Sequence, residues 1–594
     1  MAFEGRTIQL VSDIREEEQL YLYERTRLLR ARQDGTSVAA ELKNAPPLAA
    51  VDDADVSETV NSLDSTVYLL FMEESTRTKE SFRNAARHLN VKVNEFSASN
   101  SSFTKGETIT DTMKMLSVYS TQRTIFIMRT PHEGVCSWLK NVMHMHAKKY
   151  GIPSPAFINA GDGRYTHPIA EMVDIFSLLE VMAWSRESVH VALVGDLAHG
   201  RTAHSKVDGL KIFNKVRVDL IAPDVFEYPV EYRNRMKSNG FQLREFDSVE
   251  RYMKESADDL AQVWYFFQPQ IKRHGDVSAQ TMASWRSKVS FVDCDEWKQK
   301  LRQGTVFFQT LPRSKANPLV PLAFDSTPLN GWDRVANNAY FLHVVLLSMV
   351  FGKVGRSLPA IDDAEVDPTP GAADRSKESL DRLTVVPDFL EDVDLSAHGH
   401  RRNPDRAASG STVPLADGLV VDHVCLDDDP SKTWKRLRMV RTIMGWSKSL
   451  GSEGVYRSKR NDGMMKGIMS FPNFDFESLS VPQLKVLASV APGCTVNIVK
   501  GSQVVRKFRL KVPLRIYNLP NIRCINQLCV SNPLNKQRDI PASFERTTFY
   551  ETSAIPGCKA AEYLYICKYC KWPHQYKDIW TDDTVRYYSA LKEY

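Results

Sequence analysis

The 594-residue sequence has no apolar run long enough to cross a bilayer. Its longest greasy stretch, "YFLHVVLLSMVFG" (340–352), is shorter than a span and carries His343, so it reads as a buried helix. The opening "MAFEGRTIQLVSDIREEEQL" has no apolar segment behind a basic one, which excludes a signal peptide and leads us to expect a cytoplasmic protein with no membrane partner. An excess of charge of one sign is also missing. The 77 basic residues stand against 72 acidic ones, so overall charge argues neither for nor against nucleic acid. Internal repeats and coiled-coil heptads are absent, which sets aside solenoids and long zippers. Cysteines number nine, and Cys136, Cys294, Cys425, Cys494 and Cys558 are scattered as inert thiols of a reducing compartment would be.

The chain is 43% apolar and 25% charged, as soluble globular proteins are, and its length predicts three or four domains. From 1 to about 355, strand-like and helix-like segments alternate as in a parallel α/β sheet. "TIFIMR", "SPAFINA", "SVHVALVGD" and "VRVDLIAP" are the strand candidates. Between 356 and 412, "DDAEVDPTPGAADRSKESL" and "AHGHRRNPDRAASGST" offer little to bury and read as a linker or mobile insertion. From 413 onward, "GLVVDHV", "GCTVNIVKGSQVVRKFRLKV" and "LRIYNLPNIRC" read as short strands with few helices.

One short stretch, "FMEESTRTKESF" (71–82), puts Ser75, Thr76, Arg77 and Thr78 between a strand-like "STVYLL" and a helix whose Phe82, Ala85, Ala86 and Leu89 share one face. A helix start presents free N–H groups and a positive dipole end, so it suits an anion. Three hydroxyls and a guanidinium would add donors to it. Ordinary helix capping uses the same hydroxyls, and the stretch alone leaves both readings open. Downstream, "SSFTKGET", "IMRTP", "NAGDGRYTHP" and "LVGDLAHGRTAHS" each lie at or just after a predicted strand end, where α/β sheets bind ligands.

In order and spacing these five motifs resemble the catalytic chain of aspartate carbamoyltransferase, over residues 1–355. The resemblance implies an α/β fold of two doubly wound parallel-sheet domains. Residues 1–165 would bind carbamoyl phosphate, with a helix at 332–355 packing back, and 166–331 would bind aspartate. It implies that Ser75, Thr76, Arg77 and Thr78 cradle the phosphate. Arg129 and His167, with Thr78, would polarise the carbamoyl carbonyl. Lys105, with Ser101, matches a mobile loop that serves a neighbouring subunit's site, hence a homo-oligomer built on trimers. Arg201 would hold the aspartate α-carboxylate, and Gln270 and Leu311 match further substrate-binding positions. The chemistry requires no catalytic metal and no nucleophilic side chain.

Three motifs depart from the family pattern. Ala170 in "HPIA" stands where the family has a glutamine that bonds the carbamoyl group. Gln268 in "WYFFQPQIKR" replaces an arginine that grips the side-chain carboxylate of aspartate. In "FFQTLPR", Gln309 and Thr310 replace a His-Pro pair. Losing a charged hydrogen bond predicts aspartate binding weakened by about tenfold or more, unless Lys272 or Arg273 supplies the charge. The alternative is a retuned or degenerate homologue: a carbamoyl-phosphate or nucleotide-binding module, or a transferase for another amine.

Four cysteines, Cys524 and Cys529 in "CINQLC" with Cys567 and Cys570 in "CKYC", have the spacing of a closed tetrahedral zinc site, which is structural because no position stays open. No basic stripe with interleaved aromatics accompanies them, which argues against a nucleic-acid partner. Residues 413–594 resemble the family's regulatory chain. The resemblance implies an α+β nucleotide-binding-like domain over 413–515 and a small zinc-ribbon β domain over 516–594. Asp422, Asn497, Val504 and Lys507 match its allosteric nucleotide site, where a second family lysine falls near Ser470. Asp422 reads equally as a turn-facing polar residue. Both chains joined in one polypeptide look like the fused arrangement known in some members of the family.

Overall fold

The computed structural model describes residues 3–33, 65–96, 105–120, 123–256, 258–270, 274, 277–313, 317–355, 389–395, 415–458, 464–475, 479–517, 522–535, 540–547, 564–576 and 578–581. Two compact units divide the chain, with the principal break between Val366 and Asp367.

The first unit carries two sheets. β1 (Thr66–Phe71), β2 (Lys92–Phe96), β3 (Thr124–Thr130) and β4 (Ala156–Asp162) run parallel in the order β2-β1-β3-β4. β5 (Ser188–Gly195), β6 (Lys215–Ile221), β7 (Gln242–Phe246), β8 (Val263–Phe267) and β9 (Val306–Gln309) run parallel in the order β7-β6-β5-β8-β9. Their central strands are apolar nearly throughout, because helices cover both faces of a parallel sheet. Val191, Ala192, Leu193 and Val194 of β5, for example, have no exposed surface. Each sheet reverses its winding once, between β1 and β3 and between β5 and β8. A crevice opens at such a reversal, beyond the carboxyl ends of the strands.

The helix Thr76–His88 buries Phe82, Ala85 and Ala86, the face anticipated from the sequence. The helix Trp332–Val350 packs against Thr76–His88, Glu16–Gln33 and Pro168–Val181, as expected of the 332–355 segment. One apolar core joins these helices to both sheets. A second core, rich in Phe and Trp, fills the far face of the second sheet. Gly195, at φ +117°, ends β5 where its backbone passes too near the Phe267 carbonyl to admit a Cβ.

The second unit is mixed α and β. β10 (Leu390–Asp392), β11 (Gly418–Asp427), β12 (Ser452–Arg457), β13 (Met465–Pro472), β14 (Thr495–Lys500) and β15 (Gln503–Leu510) form a sheet in the order β10-β15-β14-β11-β13-β12. The helices Pro430–Met444 and Val481–Val490 accompany it, started by Asp429 and by a Ser480–Gln483 capping box. Arg436 is fully buried between these helices and donates from Nη1 to the Val490 carbonyl, 2.7 Å away. A smaller sheet follows, β16 (Arg515–Tyr517), β17 (Ser543–Thr547), β18 (Leu564–Cys567) and β19 (Pro573–Gln575), in that order.

β10 corrects the reading of 356–412 as spacer throughout. Leu390 pairs antiparallel with Leu510, and Phe389 and Leu390 are buried. A two-residue apolar pair set among acids has no periodicity of its own, so only the sheet edge it covers reveals it. Apart from 389–395, that segment lies outside the described residues. Among the described residues no helix is long and apolar enough to cross a membrane.

Candidate active site

The crevices of the two sheets meet in a cleft of about 1470 Å³. Ser75, Thr76, Arg77, Thr78, Arg129, His167, Arg201, Gln270 and Leu311 all line it, so the structure gathers nine sequence-predicted residues from six separate segments. Ser75 occupies the N-cap position of its helix with extended backbone, yet its hydroxyl makes no capping hydrogen bond. A capping serine would turn its oxygen onto the N–H groups one turn on; Ser75 makes no such bond and lines the cleft.

His167 is the N-cap of Pro168–Val181, and its Nδ1 accepts the Ala170 N–H at 3.3 Å. An accepting Nδ1 places the ring proton on Nε2, as a donor. Burial, then the charges of Arg129 and Arg201, push its pKa well below the ordinary histidine value, so the imidazole is neutral. Gly161, at φ +111°, lies close behind it. A Cβ there would sit 3.0 Å from Arg201 Nη1 and 3.3 Å from His167 Cδ2, so only glycine lets both side chains occupy their places. His343, also lining the cleft, stacks on Phe82 and bonds Ser81 through Nδ1, and burial depresses its pKa to about 3.

Arg201 opens the helix Arg201–Gly209, and its Nη2 donates to Glu73 Oε2 at 2.9 Å. Arg129 Nε lies 3.7 Å from the same oxygen. Arg201 Nη1 is buried and has no partner among the described residues. Sequence reasoning missed Glu73. The signal was present, because the residue precedes the hydroxyl cluster by two places, but the cations it joins come from β3 and from the helix after β5.

At the ends of β8 and β9 the three departures come together. Ala170, Gln268, Gln309 and Thr310 line the cleft. The Gln268 N–H donates to Thr310 Oγ1 at 3.2 Å, and the Gln270 N–H to Asp196 Oδ2 at 2.8 Å. The Gln268 amide nitrogen and both amide atoms of Gln309 are buried with no partner among the described residues. Unpaired amides of this kind cost free energy unless a ligand completes them. Lys105 is exposed and does not line its own chain's cleft. Ser101, Lys272 and Arg273 lie outside the described residues.

In the second unit Val420, Asn497 and Lys507 stand opposite one another across β11, β14 and β15. Asp422, two residues from Val420, shares that face by strand alternation. Val504 packs against the cluster of Leu415, Val420 and Val499. Asn497 donates from Nδ2 to the Val420 carbonyl at 3.1 Å, and Lys466 Nζ donates to Asp422 Oδ2 at 2.9 Å. Lys466 is a further cation here that the sequence reading passed over in favour of Ser470.

Cys524, Cys529, Cys567 and Cys570 are fully buried thiols whose Sγ atoms lie within 4.8 Å of one another. Cys524 and Cys570 are 3.7 Å apart. A tetrahedral ion with Zn–S bonds of about 2.3 Å spaces its sulfurs by roughly 3.8 Å, so the cluster fits a metal in that geometry.

Comparison with known proteins agrees with this geometry. The family model "Aspartate/ornithine carbamoyltransferase, carbamoyl-P binding domain" matches residues 7–180. The model "Aspartate carbamoyltransferase regulatory chain, allosteric domain" matches residues 412–511. Protein PyrBI of Treponema denticola is 36% identical over 97% of this chain and 98% of its own. Protein PyrBI of Thermotoga maritima is 36% identical over 98% of this chain and 99% of its own. The aspartate carbamoyltransferase catalytic subunit of Methanocorpusculum labreanum is 30% identical over 48% of this chain and 84% of its own. With relatives matching nearly end to end and both family models on one polypeptide, the chain belongs to the aspartate carbamoyltransferase family, in the form that fuses catalytic and regulatory regions.

Proposed function

We propose that this aspartate carbamoyltransferase moves the carbamoyl group of carbamoyl phosphate to L-aspartate within the cleft, through the following division of labour. Ser75, Thr76, Arg77 and Thr78 hold the phosphate at the helix start. Arg129, Thr78 and the protonated Nε2 of neutral His167 face the carbamoyl oxygen. The neutral aspartate amine attacks the carbamoyl carbon, negative charge builds on that oxygen, the C–O bond to phosphate breaks with its electron pair leaving on phosphate, and the proton released by the amine nitrogen goes to the departing phosphate. Donors fixed at both places stabilise the transition state more than the ground state. Arg201 receives the α-carboxylate, which completes its unpartnered Nη1 and competes with Glu73 for the rest of the guanidinium.

The observation that carries this reading is Arg201 Nη1, a buried guanidinium donor with no partner among the described residues, in the same cleft as a Ser75 hydroxyl that makes no capping bond. Formation of carbamoyl aspartate by the purified protein, over a wide range of aspartate, tests it, with Arg77→Ala as control. Turnover that Arg77→Ala abolishes is expected; no turnover at any aspartate concentration sinks it. A second reading, an altered amine acceptor, draws support from Gln268, whose neutral amide nitrogen is buried and unpaired. Phosphate-analogue binding without carbamoyl aspartate would favour it.

Several roles beyond the cleft belong to the same proposal. An exposed Lys105, together with Ser101, serves a neighbouring subunit's site in a trimer-based oligomer. The four cysteines hold a structural zinc ion that ties the segments around β16 and β18 together, a role a closed thiolate set can fill without chemistry of its own. Asp422, Asn497, Val504 and Lys507 take a nucleotide effector, with Lys466 as an added cation. The enzyme works in the cytoplasm.

A further inference from the structure

We propose that Asp196, His199 and His274 form a second metal site, for a divalent transition ion such as Zn²⁺, Co²⁺ or Ni²⁺. One ligand atom from each lies within 4.8 Å of the others. His274 Nε2 is 2.7 Å from Asp196 Oδ2, and His199 Nδ1 is 3.3 Å from Asp196 Oδ1. Two imidazole nitrogens are thus turned on one carboxylate whose side chain has no exposed surface. Lone pairs cannot face one another at these distances, so positive charge has to lie between them, as two protons or as one cation. A tetrahedral ion with bonds of about 2.0–2.2 Å to N and O spaces its donors by roughly 3.3 Å, so small side-chain shifts admit it. Two imidazoles and a carboxylate suit ions of intermediate softness and disfavour Mg²⁺ or Ca²⁺.

The surroundings are those of a supported site. Asp196 also accepts the backbone N–H groups of Gln270 at 2.8 Å and His199 at 3.1 Å, which hold its carboxylate in place. The His199 and His274 rings meet edge to face with centroids 4.3 Å apart. Phe226 and Trp285, with centroids 5.1 Å and 6.0 Å from the His274 ring, wall its outer side. His199 also lines the cleft. The site joins the segment after β5 to the segment after β8, which carry Arg201 and Gln270 respectively. An ion would pin those two segments together, where hydrogen bonds alone let them part.

Metal binding tests this independently of catalysis. The untagged full-length protein, purified with its cysteine-held ion, is equilibrated with Co²⁺ at neutral pH. We expect one added equivalent per chain, with visible absorption of nitrogen- and oxygen-ligated cobalt and no added thiolate charge-transfer band. His274→Ala and His199→Ala should each weaken this equivalent by tenfold or more and leave the cysteine-bound ion in place. His274→Gln, closer in size, guards against loss through misfolding and should weaken it equally. No added equivalent in the unaltered protein overturns the proposal and leaves a proton-bridged clamp. An equivalent that survives in all three variants, or that absorbs as a thiolate complex, overturns it as well.

Discussion

Replacing Arg201 by Gln separates the two substrates. The guanidinium has one nitrogen on Glu73 at 2.9 Å and another buried with no partner among the described residues, which suits it to a ligand. A carboxylate that takes Nη1 and displaces Glu73 from Nη2 gains two charge-assisted bonds, each worth about 1.5–3 kcal/mol. Allowing for shared desolvation, the loss is about 3–5 kcal/mol, or roughly 10²–10⁴-fold in kcat/KM for aspartate. The fold should tolerate the change. Arg201 is the first residue of its helix, and its pair with Glu73 is partly exposed and worth about 1 kcal/mol or less. Carbamoyl phosphate affinity, which the proposed division of labour assigns to residues 75–78, should change less than about threefold, under 1 kcal/mol. Arg201→Lys keeps the charge but not the fork, and should fall between the two. Initial rates over aspartate at saturating carbamoyl phosphate, with calorimetry for carbamoyl phosphate alone, measure both quantities. A loss below about fivefold for aspartate, about 1 kcal/mol, would refute the assignment. So would an equal loss for both substrates.

Three further outcomes follow from named groups. Gln268→Arg restores a cation beside Thr310 and should lower KM for aspartate by about tenfold or more; an unchanged KM would show that another residue holds the side-chain carboxylate. His167 and His343 are buried and neutral, with native pKa values below the unfolded one. The unfolded chain therefore binds more protons below pH ~6.5, and stability falls as pH drops from there, by up to roughly 1.4 kcal/mol per unit for each. A urea midpoint for the catalytic unit that is level from pH 7.5 to 5.5 would contradict this. Lys206 is fully buried with Nζ 2.6 Å from Glu171 and 2.7 Å from Asp174. Lys206→Met strands those carboxylates and should cost about 3–5 kcal/mol, with partial recovery when Glu171→Gln is added. Denaturant curves showing under about 1 kcal/mol of loss would mean the triad is not what holds these helices.

The sequence by itself determined the classes of its parts. Parallel strands were legible because burial on both faces writes an apolar run, as in "SVHVALVGD". The four cysteines were legible because a closed metal site constrains spacing along the chain. The cleft residues were legible only as motifs at strand ends, since strand order decides which ends meet. Tertiary structure decided the rest. It left the Ser75 hydroxyl out of its helix's capping bonds, joined Glu73 to Arg129 of β3 and to Arg201 of the helix after β5, and set His274 against Asp196. It also recruited Phe389 and Leu390 to a sheet edge. Local periodicity reports how one segment meets water. Which charges neutralise each other across segments depends on how sheets wind and pack, and no single segment encodes that.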